Sequence, residues 1–174
     1  MRRREAPEVV AAEALALLRT AGASLATAES LTGGRLAAAV TSVPGASDCF
    51  VGGFVTYATE LKESLLGVPH DLVERYGVVS GECARAMAAG CRAATGATYT
   101  LATTGVAGPD TQEGRPVGTV FVGVAGPEVD VALTMELVGD RHRIQDRACR
   151  EALSALCGIL RGDPISGGEQ PPLG

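Results

Sequence analysis

Helical segments and short apolar stretches alternate along this chain, and three of the apolar stretches run straight into polar turns. Those turns are Glu29 to Gly34, Thr56 to Lys62 and Thr104 to Asp110. Alternation of this kind predicts sheet strands joined by crossover helices, a three-layer α/β/α sandwich on a mixed, mostly parallel sheet. In an open α/β sheet the carboxyl ends of the strands converge on one edge, where ligands bind. If the strands are parallel, Ser30, Tyr57, Lys62 and Thr104 face one pocket.

The segments follow from local signals. Pro7 opens a helix to about Thr20, with Gly22 as its stop. A buried strand is expected over Ser24–Ala28, an alanine-rich helix from Gly34 to near Val43, and a strand from Phe50 to Tyr57. Lys62 lies on a short helix closed by Gly67 and Pro69, and Asp71 to Tyr76 makes another helical turn. Ser80 caps a helix that ends at Gly96. A strand over Thr98–Thr103 precedes a polar loop, Asp110 to Arg115. Val117–Val124 and Val129–Val138 then form a hairpin around Gly126-Pro127. Asp140 starts a last amphipathic helix to about Leu160. Residues 1–6 and the Gly- and Pro-rich stretch 162–174 are expected to be disordered, leaving one domain over 7–161.

Composition sets what the core is made of. With three Phe, three Tyr and no Trp, it must be built from Ala, Val and Leu, with 23 Gly at turns and close approaches. A chain of 174 residues buries roughly 70% of its unfolded surface, so it needs neither disulfide nor metal to fold. The net charge of −5 argues against non-specific nucleic-acid binding. No zinc spacing links the five cysteines with His70 and His142, which read as surface groups. Buried, reduced thiols and a cytoplasmic protein are expected. Neither a signal peptide nor a membrane span is expected.

The chain has 15 Lys+Arg, of which only Lys62 is lysine. A guanidinium cannot be deprotonated in a protein, whereas a buried amine can lose its proton and act as a base. Lys62 is therefore either a general base or a lone surface lysine in an arginine-biased chain. Ser30, just before the Thr32-Gly33-Gly34 turn, is either a helix cap or a nucleophile beside N–H groups suited to an oxyanion. No histidine lies near it in sequence, so a Ser-Lys pairing is the catalytic option that remains. Asp110, Glu113 and Glu60 read as solvated loop charges, and Arg141, Arg143, Arg147 and Arg150 mostly as the wet face of the last helix.

Taken together, Thr27-Ala28-Glu29-Ser30-Leu31-Thr32-Gly33-Gly34 resembles the Thr-x-Glu-Ser-x-Thr-Gly-Gly signature of the CinA C-terminal domain family. The likeness continues through Pro44-Gly45-Ala46-Ser47, Gly53-Phe54-Val55-Thr56-Tyr57, Lys62 and Tyr76-Gly77-Val78-Val79-Ser80. It resumes at Thr104-Gly105-Val106-Ala107-Gly108-Pro109, Pro116-Val117-Gly118-Thr119-Val120 and Gly139-Asp140-Arg141.

The resemblance implies a nicotinamide mononucleotide amidase that produces nicotinate mononucleotide and ammonia, with no cofactor and no metal. It implies Ser30 as nucleophile and Lys62 as base, with Tyr57 and Thr104 in the same network. Glu29, Thr32, Gly33, Gly34, Gly105 and Arg141 are expected to bind substrate. The expected partner is a small-molecule nucleotide, with neither nucleic acid nor membrane, in a homo-oligomer. The alternative is a non-catalytic nucleotide-sensing or protein-interaction module of the same fold. Two departures bear on this choice. The loop after Gly108-Pro109 reads Asp110-Thr111-Gln112-Glu113-Gly114 where the family is glycine-rich, and Gln145 stands where many members carry arginine.

Overall fold

The computed structural model describes residues 5–165 and 168–169. Helix α1 (Pro7–Ala21) ends at Gly22 in the left-handed conformation and leads into β1 (Leu25–Glu29). Helix α2 (Arg35–Thr41), a short 3-10 turn (Ala46–Asp48) and β2 (Phe50–Val55) follow. Next come α3 (Thr59–Leu66), α4 (His70–Tyr76) and α5 (Gly81–Thr95), then β3 (Tyr99–Gly105). The hairpin β4 (Thr119–Gly126) and β5 (Val129–Glu136) precedes α6 (Arg141–Arg161) and the two-residue β6 (Gly168–Glu169). The expected N-caps form: the Ser80 hydroxyl accepts from Cys83 N at 3.1 Å, and the Asp140 carboxylate from Arg143 N at 2.9 Å.

Among the described residues, six strands lie in the order β2-β1-β3-β4-β5-β6. Strands β1, β2 and β3 are mutually parallel, while β4 runs against β3 and β5 against β4. Strand β5 therefore points the same way as the first three. Helices α1, α2 and α6 cover one face of the sheet, and α3, α4 and α5 the other. Central strands buried on both faces carry continuous apolar or small residues: every residue of β1 and β4 is buried.

Two clusters fill the sandwich. Leu15, Leu18, Leu36, Val122, Ile144 and Leu153 anchor the first, and Met87, Cys83, Cys91, Val79 and Phe121 the second. All five cysteines are buried and unpaired by disulfide. Burial pushes the thiols of Cys83, Cys91 and Cys157 up to about 11, so they remain protonated and pack as small apolar groups.

Of the segments expected to be disordered, residues 1–4 and most of the tail lie outside the described residues. Within the tail, Gly168 and Glu169 pair with Leu133 and Ala132 of β5. Among the described residues, no helix is long and apolar enough to cross a membrane.

Glycine lets the thin aromatic-poor core close. A Cβ at Gly90 of α5 would strike the Leu66 carbonyl at the end of α3, and one at Gly123 of β4 would strike the Ala84 carbonyl. In an unconstrained helix interior Gly→Ala stabilises by about 1 kcal/mol. At Gly90 the sign is expected to reverse, with a loss of about 1–3 kcal/mol from overpacking, read by urea denaturation of Gly90→Ala. An unchanged or raised midpoint would show that α3 and α5 can part without penalty.

Candidate active site

At the carboxyl ends of β1 and β3 lies a cavity of about 380 Å³. Ser30, Tyr57, Lys62 and Thr104 all line it, together with Val78, Val79, the loop Gly105 to Gln112, and Arg141. The parallel arrangement of β1, β2 and β3 is what brings the three turns to one edge.

Lys62 enters from α3 and is 1% exposed. Its Nζ donates to the Thr56 carbonyl at 2.7 Å and to the Tyr57 carbonyl at 3.3 Å. Burial strips water from the amine and holds its pKa below the ordinary 10.5; the opposing influences are Cys83, Glu113 and Glu60. Among the described residues it makes no hydrogen bond with the Ser30 hydroxyl, although both face the cavity.

The turn that carries Ser30 is organised by Glu29. This carboxylate, 1% exposed, accepts from the Thr32 hydroxyl at 2.7 Å and from the N–H groups of Gly34, Leu36 and Ala37 at 3.2, 2.8 and 3.1 Å. Thr32 in turn meets the Thr103 hydroxyl at 2.8 Å. Neither Ser30 nor Thr32 caps α2; Glu29 does, from the end of β1, five residues before Gly34.

Four of the expected substrate-binding residues are engaged in hydrogen bonds within this turn. Glu29 and Thr32 are consumed beneath the cavity, not on its wall. The Gly34 N–H is held by Glu29 and the Gly33 N–H donates to the Ser30 carbonyl at 3.0 Å, so neither is open to an oxyanion.

Gly105 sits differently. Ser30 N donates to the Thr103 carbonyl, and Val106 N to the Thr119 carbonyl. Backbone polarity alternates along a strand, so the Gly105 N–H faces the side where β1 has ended. Its φ of 155° and the Thr119 carbonyl behind it leave no room for a Cβ.

Thr104 is 1% exposed and donates to the Val78 carbonyl at 2.6 Å, which leaves its oxygen free to accept. The expected contact between Tyr57 and Lys62 runs through the Tyr57 backbone carbonyl. The Tyr57 hydroxyl instead accepts from Arg141 at 2.9 Å, and the same guanidinium donates to the Gly108 carbonyl at 2.6 Å. Arg141 thus spans the cavity mouth.

Gln145 is buried and donates to the Leu31 carbonyl at 2.8 Å, bracing the Ser30 turn from behind. Glu113 is an exposed loop residue, as expected, and its carboxylate also accepts from Val78 N at 3.0 Å and Val79 N at 2.9 Å. Nothing local in the sequence marks that pairing, whose partners stand 35 and 34 residues apart. Among the described residues no group of three or more His, Cys, Asp or Glu could hold a metal ion.

The fold is that of an α/β domain, and the family model described as the CinA C-terminal domain matches residues 7–160. The chain belongs to that family. It is 53% identical over 152 residues to a CinA-like protein of Frankia casuarinae, a match covering 87% of this chain and 35% of the relative. The crystal structure of the competence damage-inducible protein A of Klebsiella pneumoniae superposes with a TM-score of 0.88 at 33% identity, covering 90% of this chain and 98% of that one. A competence/damage inducible protein of Agrobacterium tumefaciens gives 0.84 at 32% identity, covering 89% and 95%. The chain spans about a third of the length of the curated relatives it matches, at 35%, 34% and 37%.

The buried amine carries a pH signature. Because its folded pKa lies below 10.5, the unfolded chain binds a proton here more readily. The penalty for burying Lys62 is full at low pH and disappears as pH rises through the folded value toward 10.5. The stability of Lys62→Met relative to the parent, from denaturant titrations across neutral to alkaline pH, should therefore fall as pH rises. A difference independent of pH would mean that Lys62 titrates normally in the folded protein.

Proposed function

We propose that this domain hydrolyses the carboxamide of nicotinamide mononucleotide to nicotinate mononucleotide and ammonia. The observation that carries the reading is the burial of the chain's one lysine in the cavity that Ser30 also lines. Membership of the CinA C-terminal domain family supports it, with Ser30 and Lys62 both inside the matched residues.

A neutral amine has two N–H bonds and one lone pair. Both N–H bonds of Lys62 have acceptors, the Thr56 and Tyr57 carbonyls, so the lone pair is left for a proton from Ser30. The serine oxygen bonds to the amide carbon as its proton passes to Lys62. That proton then goes to the departing nitrogen, the C–N bond breaks, and ammonia leaves. Water attacks the resulting ester with Lys62 again as base, releasing the carboxylate and restoring Ser30.

Charge develops on the carbonyl oxygen during both attacks. The Gly105 N–H is the donor best oriented to meet it, a contribution of about 3–4 kcal/mol in comparable sites. Thr104 can accept a proton-bearing group while its own hydrogen is held by Val78. At the mouth, the guanidinium of Arg141 is bonded only to neutral oxygens among the described residues and retains its charge for the 5′-phosphate. Gln145, turned to the Leu31 carbonyl, takes no part in that contact.

Steady-state release of ammonia from nicotinamide mononucleotide tests the proposal. Ser30→Ala and Lys62→Arg should each lose about 10²–10⁴-fold in kcat, since arginine keeps the charge but cannot accept the proton. In the parent, kcat/KM should rise with pH through a midpoint below 10.5 as Lys62 becomes neutral. Near-parental turnover in Lys62→Arg would sink the mechanism. Release by the parent no faster than by Ser30→Ala would instead point to a nucleotide-binding module without catalysis.

A further inference from the structure

The roof of the cavity is fastened by a residue outside the motif. We propose that Glu113 is a positioning residue of this site, its carboxylate clamping the Gly77–Val79 backbone so that the Val78 carbonyl holds the Thr104 hydroxyl and the roof loop closes over Lys62. The proposal rests on the amidase reading for its kinetic readout alone.

Four observations converge on it. The two carboxylate oxygens of Glu113 take one N–H each, from Val78 and from Val79, at 3.0 and 2.9 Å. Val78 and Val79 both line the cavity, and the Val78 carbonyl accepts the Thr104 hydroxyl at 2.6 Å. Gly77, at a φ of 76°, lies so close that a Cβ there would overlap the Glu113 carboxylate. Glu113 and Gly114 hold φ of 52° and 71°, the left-handed pair of a tight turn closed between Gln112 and Arg115, which fixes the backbone that carries the carboxylate.

The loop is therefore tied at both ends. Arg141 holds its start through the Gly108 carbonyl, and Glu113 holds its finish, with Gly108 to Gln112 forming the cavity wall between. A carboxylate is the natural clamp for two adjacent N–H groups, because it offers two acceptors and no donor. Glutamine would keep one acceptor and turn an NH₂ donor against the other N–H.

The clamp is also felt at the amine. Lys62 is faced by Cys83 from α5, by Glu60 from its own helix and by Glu113 from the roof loop. Burial keeps the Cys83 thiol neutral, pushed up to about 11, so the carboxylates supply the negative charge. Glu113 raises the Lys62 pKa against the stronger effect of burial.

Because the chain has one lysine, lysine labelled with a magnetic isotope at its terminal carbon gives a single NMR signal that reports Lys62 directly. In Glu113→Gln the titration of that signal should move to lower pH than in the parent. In the ammonia assay, kcat should fall about ten- to a hundredfold, the equivalent of one charge-assisted hydrogen bond, with KM changing much less. Gly77→Ala, which pushes the carboxylate off its N–H groups, supplies a second variant with the same kcat loss. In a Thr104→Val background, Glu113→Gln should lose only a few-fold more, because the two residues act through one hydrogen bond. An unmoved lysine titration in Glu113→Gln, or a fully additive loss in the double variant, overturns the proposal. If the parent releases no ammonia, the amidase reading fails, and the lysine titration still decides the role of Glu113.

Discussion

The Glu29 carboxylate, buried where β1 ends, is the contact on which the rest of the site depends. It gathers the Thr32 hydroxyl and three N–H groups from the start of α2, so a strand end and a helix start are locked at a fixed angle. A charge with no water around it is tolerable only when its lone pairs are satisfied, and here four donors do so. Ser30 is the next residue, and its direction follows from that lock. The helix N-terminus, which elsewhere serves as an anion site, is already occupied by the protein's own anion.

Against this fixed turn stands a second buried charge-bearing group of opposite type. Lys62 reaches the cavity from α3 and finds two carbonyls, with no carboxylate in direct contact among the described residues. Burial is the largest influence on its protonation and favours the neutral amine, against the opposing influences of Cys83, Glu113 and Glu60. Four hydrogen bonds compensate the Glu29 carboxylate, whereas the role proposed for Lys62 is to exchange a proton. Arginine at position 62 would be a permanent cation and could not share this role.

Much of the architecture was legible because it rests on local patterns. Gly22, Gly67 and Gly96 stop helices where expected, Ser80 and Asp140 start them, and β1 reads as a strand from its unbroken small and apolar run. Strand ends shifted by one or two residues, since ladder pairing, not side-chain type, ends a strand: β3 continues to Gly105 because β4 is beside it. The site was legible only in part. That Ser30, Tyr57, Lys62 and Thr104 share a cavity followed from the edge rule for parallel strands. The glycines of the turn looked open to a ligand because the sequence does not show that Glu29 takes the Gly34 N–H and the Ser30 carbonyl that of Gly33. Tyr57 was expected in the network of Ser30 and Lys62; its side chain meets Arg141 and its backbone carbonyl meets the lysine.

By itself the sequence determined the succession of elements, the aromatic-poor core, and the presence of one amine able to lose its proton among fourteen guanidiniums. These are properties of composition and short-range order, written in neighbours a few positions apart. Tertiary structure alone decided which hydrogen-bonding groups remain available. Glu29 closes the α2 N-terminus, Glu113 claims Val78 and Val79 from 35 and 34 residues away, and Gln145 turns to Leu31 across 114. Each is a competition for a donor or acceptor, settled by which groups the packed sheet and helices bring within about 3 Å of one another.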